Sequence, residues 1–271
     1  MRGLLLCGAA AAALLLAAGC ADDSTNSSAD SVARSDSTSG ADAGEADAAP
    51  ADVAAIADHP SFCVAAVAGL HDITGTPASP YYVRHPANPS PSTQTVVFLP
   101  GGAGSRNIAE LTYQLWLQSG DPQLDFRVVV PYAADGNFTD ETQRATSVLD
   151  EVLACYGGDA SKVHLGGTSN GGVGAFALML AEHARFATLL GAPGVFSTSD
   201  NNTIKTALTG KAVFNGVGEN DAASWKDGVA QTHKLLQSLG VDSTYEVFKG
   251  QGHILAAGFD QTVFFKFWSS H

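Results

Sequence analysis

Short runs of apolar, often β-branched residues alternate with longer amphipathic segments from about residue 59 onward. Such runs are typical of buried strands. We predict strands at Tyr81–Arg84, Thr95–Leu99, Arg127–Pro131, Lys162–Leu165, Ala187–Leu190, Ala212–Val217 and Thr244–Phe248. Between them, segments 140–155 and 224–239 carry apolar residues at helical spacing. Strands separated by crossover helices indicate an α/β fold, with a mostly parallel central sheet flanked by helices.

The first 58 residues do not follow this pattern. Residues 1–19 place one basic residue before an apolar Leu/Ala run with a small-residue end, which is the layout of a signal peptide. That run is too short and too rich in alanine for a permanent membrane span. The residues that lead into Cys20 resemble a bacterial lipoprotein box, which implies that Cys20 is acylated. Ordinary cleavage near Ala18, followed by secretion, is the alternative.

Charge separates the next segment from the rest of the chain. The 271 residues include 14 Lys and Arg against 27 Asp and Glu, a net charge of −13. Residues 20–58 hold nine of the acids and one base, with almost no large apolar side chain, so we expect a disordered acidic tether. The domain at 59–271 has no Lys/Arg cluster, which argues against nucleic acid as a partner. We therefore expect a lipid-anchored domain at the bacterial cell envelope that meets the membrane only through its anchor.

The cysteines fit an exported protein. Cys7 lies in the predicted signal peptide and Cys20 is the lipidation candidate, so Cys63 and Cys155 remain for the folded domain. In an oxidising compartment this pair is expected to form one disulfide. Two independent buried thiols are the alternative, because spacing alone does not show that the two meet. No Cys/His cluster has metal-ligand spacing, and we predict neither a metal nor a cofactor.

The segment 162–174 carries the main chemical motif, G-x-S-x-G at residues 167–171. The five-residue pattern alone is weak in a chain with 29 glycines, but here a predicted strand leads into it and a small-residue helix follows. That context is the strand–turn–helix of a nucleophile elbow, with Ser169 exposed above the sheet. Gly167 and Gly171 remove side chains that would collide across the turn. A glycine-rich turn without a catalytic role is the alternative.

A serine nucleophile needs a base, and the base needs an acid that orients it. After a nucleophile elbow these residues follow the serine in the order acid, then histidine, each at the end of a later strand. His253 follows the predicted strand 244–248 in a glycine-rich loop. Asp221 follows the strand 212–217, and Glu219 in the same loop is the reserve acid. The other histidines precede Ser169, lie in helices or stand at the end of the chain.

The glycine-rich loop at 100–104 follows the strand 95–99, where an oxyanion loop is expected. We predict that the N–H of Asn170 and the N–H of Gly102 or Ala103 stabilise the oxyanion. A flexible turn without this role is the alternative. Four aromatic residues near the ends of predicted strands are candidates for either a pocket or the core: Tyr132, Phe138, Phe196 and Trp225.

These residues resemble the α/β-hydrolase superfamily. More narrowly, they resemble secreted single-domain esterases grouped with polyhydroxybutyrate depolymerases and feruloyl esterases. The resemblance spans about 80–270 and is carried by Cys-Tyr-Gly-Gly-Asp-Ala-Ser-Lys-Val ending at Val163, by Gly-Thr-Ser-Asn-Gly-Gly, and by Gly-Gln-Gly-His near residue 253. It departs at Pro100-Gly101, where the family usually has His-Gly, and in an acid loop longer than the common form.

The resemblance implies an α/β-hydrolase fold and hydrolysis of carboxylic esters, small or polymeric, through Ser169, His253 and Asp221. The span 59–271 leaves little length for a lid, so we expect an open site that favours short acyl, aromatic or polymer-end esters. A serine peptidase of the prolyl-oligopeptidase type shares the serine motif but would need a further specificity domain. An inactive binding lipoprotein on the same scaffold is the remaining alternative.

Overall fold

The computed structural model describes residues 60–118, 125–133, 141–198, 200–256 and 258–271. The predicted signal peptide, the tether and the lipidation site at Cys20 lie outside these residues and stay predictions. Within the described ranges, no helix is long and apolar enough to span a bilayer.

One mixed sheet forms the centre of the described domain. Its eight strands, among the described residues, are β1 (Gly69–Ile73), β2 (Tyr81–His85), β3 (Gln94–Leu99), β4 (Phe126–Pro131), β5 (Val163–Gly167), β6 (Thr188–Gly191), β7 (Ala212–Gly218) and β8 (Asp242–Phe248). They lie in the order β1-β2-β4-β3-β5-β6-β7-β8. The pairs β1–β2 and β2–β4 are antiparallel, and all later pairs are parallel. The predicted mostly parallel sheet is confirmed, with an antiparallel edge that includes one strand, β1, not predicted.

Helices cover both faces of the sheet. They are α1 (Arg106–Thr112), which continues as a π-helix at Tyr113–Leu117, α2 (Glu141–Tyr156), α3 (Asn170–Glu182), α4 (Asn201–Leu208), α5 (Ala223–Ser238) and α6 (Thr262–Ser269). The helix predicted at 224–239 begins one residue earlier, with Ala222 as its N-cap. Gly240 ends it as expected, since its φ of 75° suits glycine.

Alternation along the strands divides the core into two layers. In β3, Val97 and Leu99 pack with residues of α2, α3, α4 and α5 on one face. Val96 and Phe98 pack with α6 and the end of the π-helix on the other face. Because both faces of the central strands are buried, these strands appear in the sequence as continuous apolar runs.

The C-terminal end of α2 is tied to its surroundings in two ways. Cys155 forms a disulfide with Cys63, with a Cα–Cα distance of 5.3 Å. The buried guanidinium of Arg127 donates to the carbonyls of Tyr156 and Gly157 at 3.2 and 2.8 Å. Burial lowers the pKa of Arg127 to about 10, so it remains a cation at neutral pH. A positive charge at the C-terminal end of a helix interacts favourably with the helix dipole.

Parallel strands bring their carboxyl ends to a common edge of the sheet. The loops after β3, β5, β7 and β8 therefore all open at this edge. They carry the glycine-rich loop at 100–104, Ser169, Asp221 and His253 respectively. The topology gathers residues that lie far apart in sequence.

Candidate active site

A strained turn between β5 and α3 carries Ser169. The backbone φ of Ser169 is 54°, in the left-handed region that non-glycine residues rarely adopt. Hydrogen bonds hold the turn on both sides: the Ser169 N–H donates to Pro193 O at 2.9 Å, and the Thr168 N–H donates to Leu99 O at 3.2 Å. The side chain of Ser169 is left partly exposed at the edge of the sheet.

The two glycines of the motif let the backbone segments approach closely. A Cβ at Gly167 would collide with the carbonyl of Gly171. One at Gly171 would collide with the carbonyls of Leu99 and Pro100. Since these neighbours are backbone atoms, they cannot rotate out of the way, and the turn requires glycine at both positions.

His253 connects Ser169 to Asp221. Its Nε2 lies 2.9 Å from Ser169 Oγ, and its Nδ1 lies 3.1 and 3.0 Å from the two carboxylate oxygens of Asp221. The Asp221 side chain is only 1% exposed, whereas that of His253 is 37% exposed. The structure thus brings together hydroxyl, imidazole and carboxylate in series, with the acid buried and the base open to solvent. Such a series can remove the proton of the hydroxyl.

The loops that carry the acid and the base are hydrogen-bonded to each other. The N–H of Glu219 donates to Phe248 O at 3.0 Å, and that of Asn220 donates to Gln251 O at 2.8 Å. The carboxylate of Glu219 accepts a hydrogen bond from the Gly250 N–H at 2.8 Å. Glu219, the reserve acid of the sequence analysis, therefore braces the two loops and does not contact the imidazole.

The indole of Trp225 packs over the imidazole of His253. Their ring centroids are 5.2 Å apart, with 35° between the planes. Trp225 lies in the first turn of α5, directly after the loop of Asp221. The loop supplies the carboxylate of Asp221 and the helix supplies the indole of Trp225. Both groups restrict the orientation of the His253 imidazole.

The glycine-rich loop after β3 faces the turn of Ser169. Asn170 is the first residue of α3, so its N–H has no partner within the helix. Its side-chain Nδ2 donates to Gly102 O at 3.0 Å and ties the loop to the helix. Of the two candidate donors in the loop, Gly102 lines the cavity beside Ser169 and Ala103 does not.

A cavity of about 250 Å³ opens beside Ser169. Ser169, His253 and the glycine-rich loop form one side of it. The other side is one face of α1 and the π-helix, together with a residue of the histidine loop: Ile108, Leu111, Thr112, Leu115, Trp116 and Ile254. This wall is not among the features predicted from the sequence. The spacing of three and four residues between its helical members is a signal that could have revealed it.

The aromatic residues proposed from sequence do not form this cavity. Burial raises the pKa of Tyr132, and so does the hydrogen bond that its hydroxyl donates to Asp72 at 2.6 Å. Phe196 packs edge-on against Phe176, and Trp225 packs on His253. Phe138 lies outside the described residues. The described members of this group serve packing or support the imidazole.

A buried histidine lies in the strand below the turn. His164 Nδ1 is 2.9 Å from Thr188 Oγ1, and Nε2 is 3.0 Å from Gln94 Oε1, so the ring bridges β5 to both neighbouring strands. Burial lowers its pKa to about 4. The ring is therefore neutral at pH 7, where one nitrogen donates and the other accepts.

No protein-family model matches this sequence, and neither does any curated protein. Solved structures do match. The feruloyl esterase module from Clostridium thermocellum complexed with sinapinate superposes with a TM-score of 0.57 at 16% identity, over 72% of this chain and 84% of that chain. S-formylglutathione hydrolase from Staphylococcus aureus gives a TM-score of 0.57 at 15% identity, over 75% and 99%.

A puromycin-hydrolyzing peptidase from Mycobacterium tuberculosis also matches, with a TM-score of 0.55 at 14% identity, over 74% of this chain and 38% of that chain. Identities this low establish a common architecture rather than a common reaction. The sheet order, the flanking helices and these structural neighbours together show that the chain has the α/β-hydrolase fold. Its structural neighbours with this fold include esterases.

Proposed function

We propose that this protein is a serine hydrolase that cleaves carboxylic esters through an acyl-enzyme intermediate. The observation that carries the proposal is the series Ser169 Oγ, His253 Nε2, His253 Nδ1 and Asp221, with hydrogen-bond distances of 2.9 to 3.1 Å. The esterases among the structural neighbours support it at the level of the fold.

In the first half of the reaction, Ser169 Oγ attacks the carbonyl carbon of the ester while its proton passes to Nε2 of His253. Asp221 accepts the hydrogen bond from Nδ1–H and stabilises the imidazolium that forms. The carbonyl oxygen becomes an oxyanion, which the N–H of Asn170 and that of Gly102 or Ala103 stabilise in this proposal. Collapse of the tetrahedral intermediate breaks the bond to the alcohol oxygen, which takes the proton from His253.

In the second half, water replaces the alcohol. His253 removes a proton from the water as it attacks the acyl carbon, and the second tetrahedral intermediate collapses with return of the proton to Ser169 Oγ. The side chain of His253 is 37% exposed, which favours this step because water can approach the imidazole. The products are the carboxylic acid and the alcohol.

A fluorophosphonate probe tests the proposal directly, because it labels serines that are activated in this way. We expect the purified protein to be labelled and Ser169→Ala to lose labelling and ester hydrolysis by at least about 10³-fold. Ser238→Ala, which removes an exposed serine hydroxyl at the C-terminal end of α5, serves as the control and should still be labelled. A wild-type protein that is not labelled, or equal labelling of Ser169→Ala, would contradict the proposal.

The same preparation separates an esterase from a peptidase. We expect hydrolysis of p-nitrophenyl acetate and no comparable turnover of the matching p-nitroanilide. Faster turnover of the anilide would instead assign the activated serine to amide hydrolysis.

A further inference from the structure

The cavity beside Ser169 has an apolar wall and an apolar rim. Leu115 and Trp116 form the wall with Ile108, and two further residues, Leu111 and Ile254, stand at the mouth. Leu111 and Ile254 are 41% and 58% exposed, which is high for large apolar side chains. Among the described residues that line the cavity, none carries a charge apart from the ionisable imidazole of His253. A group that enters the cavity leaves water and contacts apolar carbon atoms on most sides.

The polar hydrogens of the lining side chains outside the triad are already used. Thr112 Oγ1 donates to Ile108 O at 2.7 Å, and its side chain is otherwise buried. Trp116 Nε1 donates to Leu255 O at 3.3 Å. Thr168 Oγ1 donates to Ala192 O at 2.7 Å. A hydroxyl placed against these side chains would therefore lose hydrogen bonds to water and find no free side-chain donor among them, which is unfavourable.

The position of His253 indicates which half of an ester occupies the cavity. The alcohol oxygen must lie next to Nε2, since that atom supplies the proton on which the alcohol leaves. His253 is 37% exposed and forms only one side of the cavity, which leaves the alcohol half a route along the imidazole toward solvent. We place the acyl half across the cavity, against the apolar residues of α1 and the π-helix.

The volume sets the size of the acyl group. A dry apolar cavity of about 150 Å³ takes up benzene. At about 250 Å³, this cavity has room for a six-carbon ring with a short linker, or for an aliphatic chain of similar volume.

Resting on the proposed function, we propose that this cavity is an acyl-binding site selective for uncharged, wholly apolar acyl groups of roughly six to nine carbons. It discriminates against acyl groups of the same size that carry a hydroxyl. Hydroxyacyl polymers and hydroxycinnamoyl esters, which the sequence resemblance suggests, are then poor substrates of this chain. The specificity depends on Leu115 and Trp116, which form the wall, and on the absence of a free donor in the lining that the structure describes.

Paired methyl esters test the selectivity with a constant leaving group. We expect kcat/KM for methyl 3-phenylpropanoate to exceed that for methyl 3-(4-hydroxyphenyl)propanoate by roughly tenfold or more. Methyl hexanoate should exceed methyl 3-hydroxyhexanoate by a similar factor. Equal values, or a preference for the hydroxylated member, would overturn the proposal. In a second series of acetate esters that varies the alcohol, a rate that rises with the length of the alcohol as steeply as it does with that of the acyl group would also overturn it.

A variant tests the location. Leu115→Trp fills the cavity and should lower the ratio of kcat/KM for hexanoate over acetate esters by roughly tenfold. Val247→Trp makes the same kind of change at an exposed position of β8 outside the cavity, and it should leave that ratio unchanged. Circular dichroism and thermal melting check that both variants fold.

The outcomes separate this inference from the proposed function. An unchanged ratio in a folded Leu115→Trp protein that still reacts with the fluorophosphonate probe overturns the acyl site and leaves the hydrolase function standing. A wild-type protein that neither reacts with the probe nor cleaves any of these esters overturns both.

Discussion

The orientation of one carboxylate distinguishes Asp221 from Glu219. Asp221 is buried and faces Nδ1 of His253 with both oxygens. Glu219 points at the backbone N–H of Gly250 instead. The two residues lie in the same loop. Comparing a substitution of Asp221 with one of Glu219 therefore distinguishes a role in the reaction from a role in holding the loop in place.

We predict that Asp221→Asn lowers kcat by roughly 10³- to 10⁴-fold, because an amide cannot stabilise the imidazolium and favours the wrong tautomer of the imidazole. Glu219→Gln keeps an acceptor for the Gly250 N–H and should change kcat only slightly. Steady-state hydrolysis of p-nitrophenyl acetate by both variants measures the difference. If Glu219→Gln were the more damaging change, the acid role would belong to Glu219.

Residue type and order could predict some parts of the site and not others. Ser169 and His253 stand out in the sequence because glycines surround them, and those glycines reflect tight backbone geometry. Asp221 and Glu219 could not be separated with certainty, since the direction of a side chain in a loop is not encoded in its type. For Trp116, helical spacing indicates only that it shares a face with its neighbours, because an indole that lines a cavity and one that fills a core look alike in sequence.

At the scale of elements, the disulfide joins the segment before β1 to the end of α2. Cys63 and Cys155 are 92 residues apart. In the chain-entropy account, closing a loop of this length removes freedom from the unfolded state that corresponds to about 4–5 kcal/mol. The same helix end receives the hydrogen bonds of the buried Arg127, so covalent and polar contacts act at one place.

We predict that Cys63→Ser and Cys155→Ser each lower the free energy of unfolding by about 2–5 kcal/mol. The double variant should be no less stable than either single one, because each change removes the same bond. Urea unfolding of the oxidised wild type and the three variants measures this. Additive losses would mean that the two thiols contribute independently and are not bonded in solution.

The elements that the sequence predicted well are those buried on both faces. β3, β5 and β7 are buried along almost their whole length and are mostly apolar, and their predicted bounds lie within two residues of the observed ones. β1 was missed because four of its five residues are not buried, so its strand character comes from pairing with β2. The π-helix at Tyr113–Leu117 has no distinguishing composition either, since packing against the histidine loop and α6 decides its geometry.

At the scale of the whole molecule, buried neutral histidines make stability depend on pH. Burial lowers the pKa of both His164 and His85 to about 4, and Arg127 contributes at His85. In the unfolded chain both titrate near pH 6.5. Between pH 6.5 and 4 the unfolded state therefore binds more protons, and the free energy of unfolding falls as the pH decreases. Asp200 and Asp260, whose pKa values are lowered by hydrogen bonds, add to this loss only from about pH 5 downward.

We predict that His164 alone accounts for a loss of about 2 kcal/mol between pH 7 and pH 4.5. His164→Gln keeps a donor and an acceptor for the neighbouring strands but does not titrate, so its stability should depend less steeply on pH in this range. Urea unfolding at several pH values compares the two slopes. Identical slopes would show that protonation of His164 does not contribute to the acid sensitivity.

The loop that carries His253 is anchored on both sides. Gln251 O accepts from the Asn220 N–H at 2.8 Å, and the Gln251 side chain accepts from the Ala256 N–H at 2.7 Å. Leu255 O accepts from the indole of Trp116. In the proposed reaction the imidazole is consequently in position before an ester binds, and the entropy of ordering it is lost once, during folding, rather than in every turnover. A substrate of that reaction would enter an arrangement that already exists and would not have to assemble it.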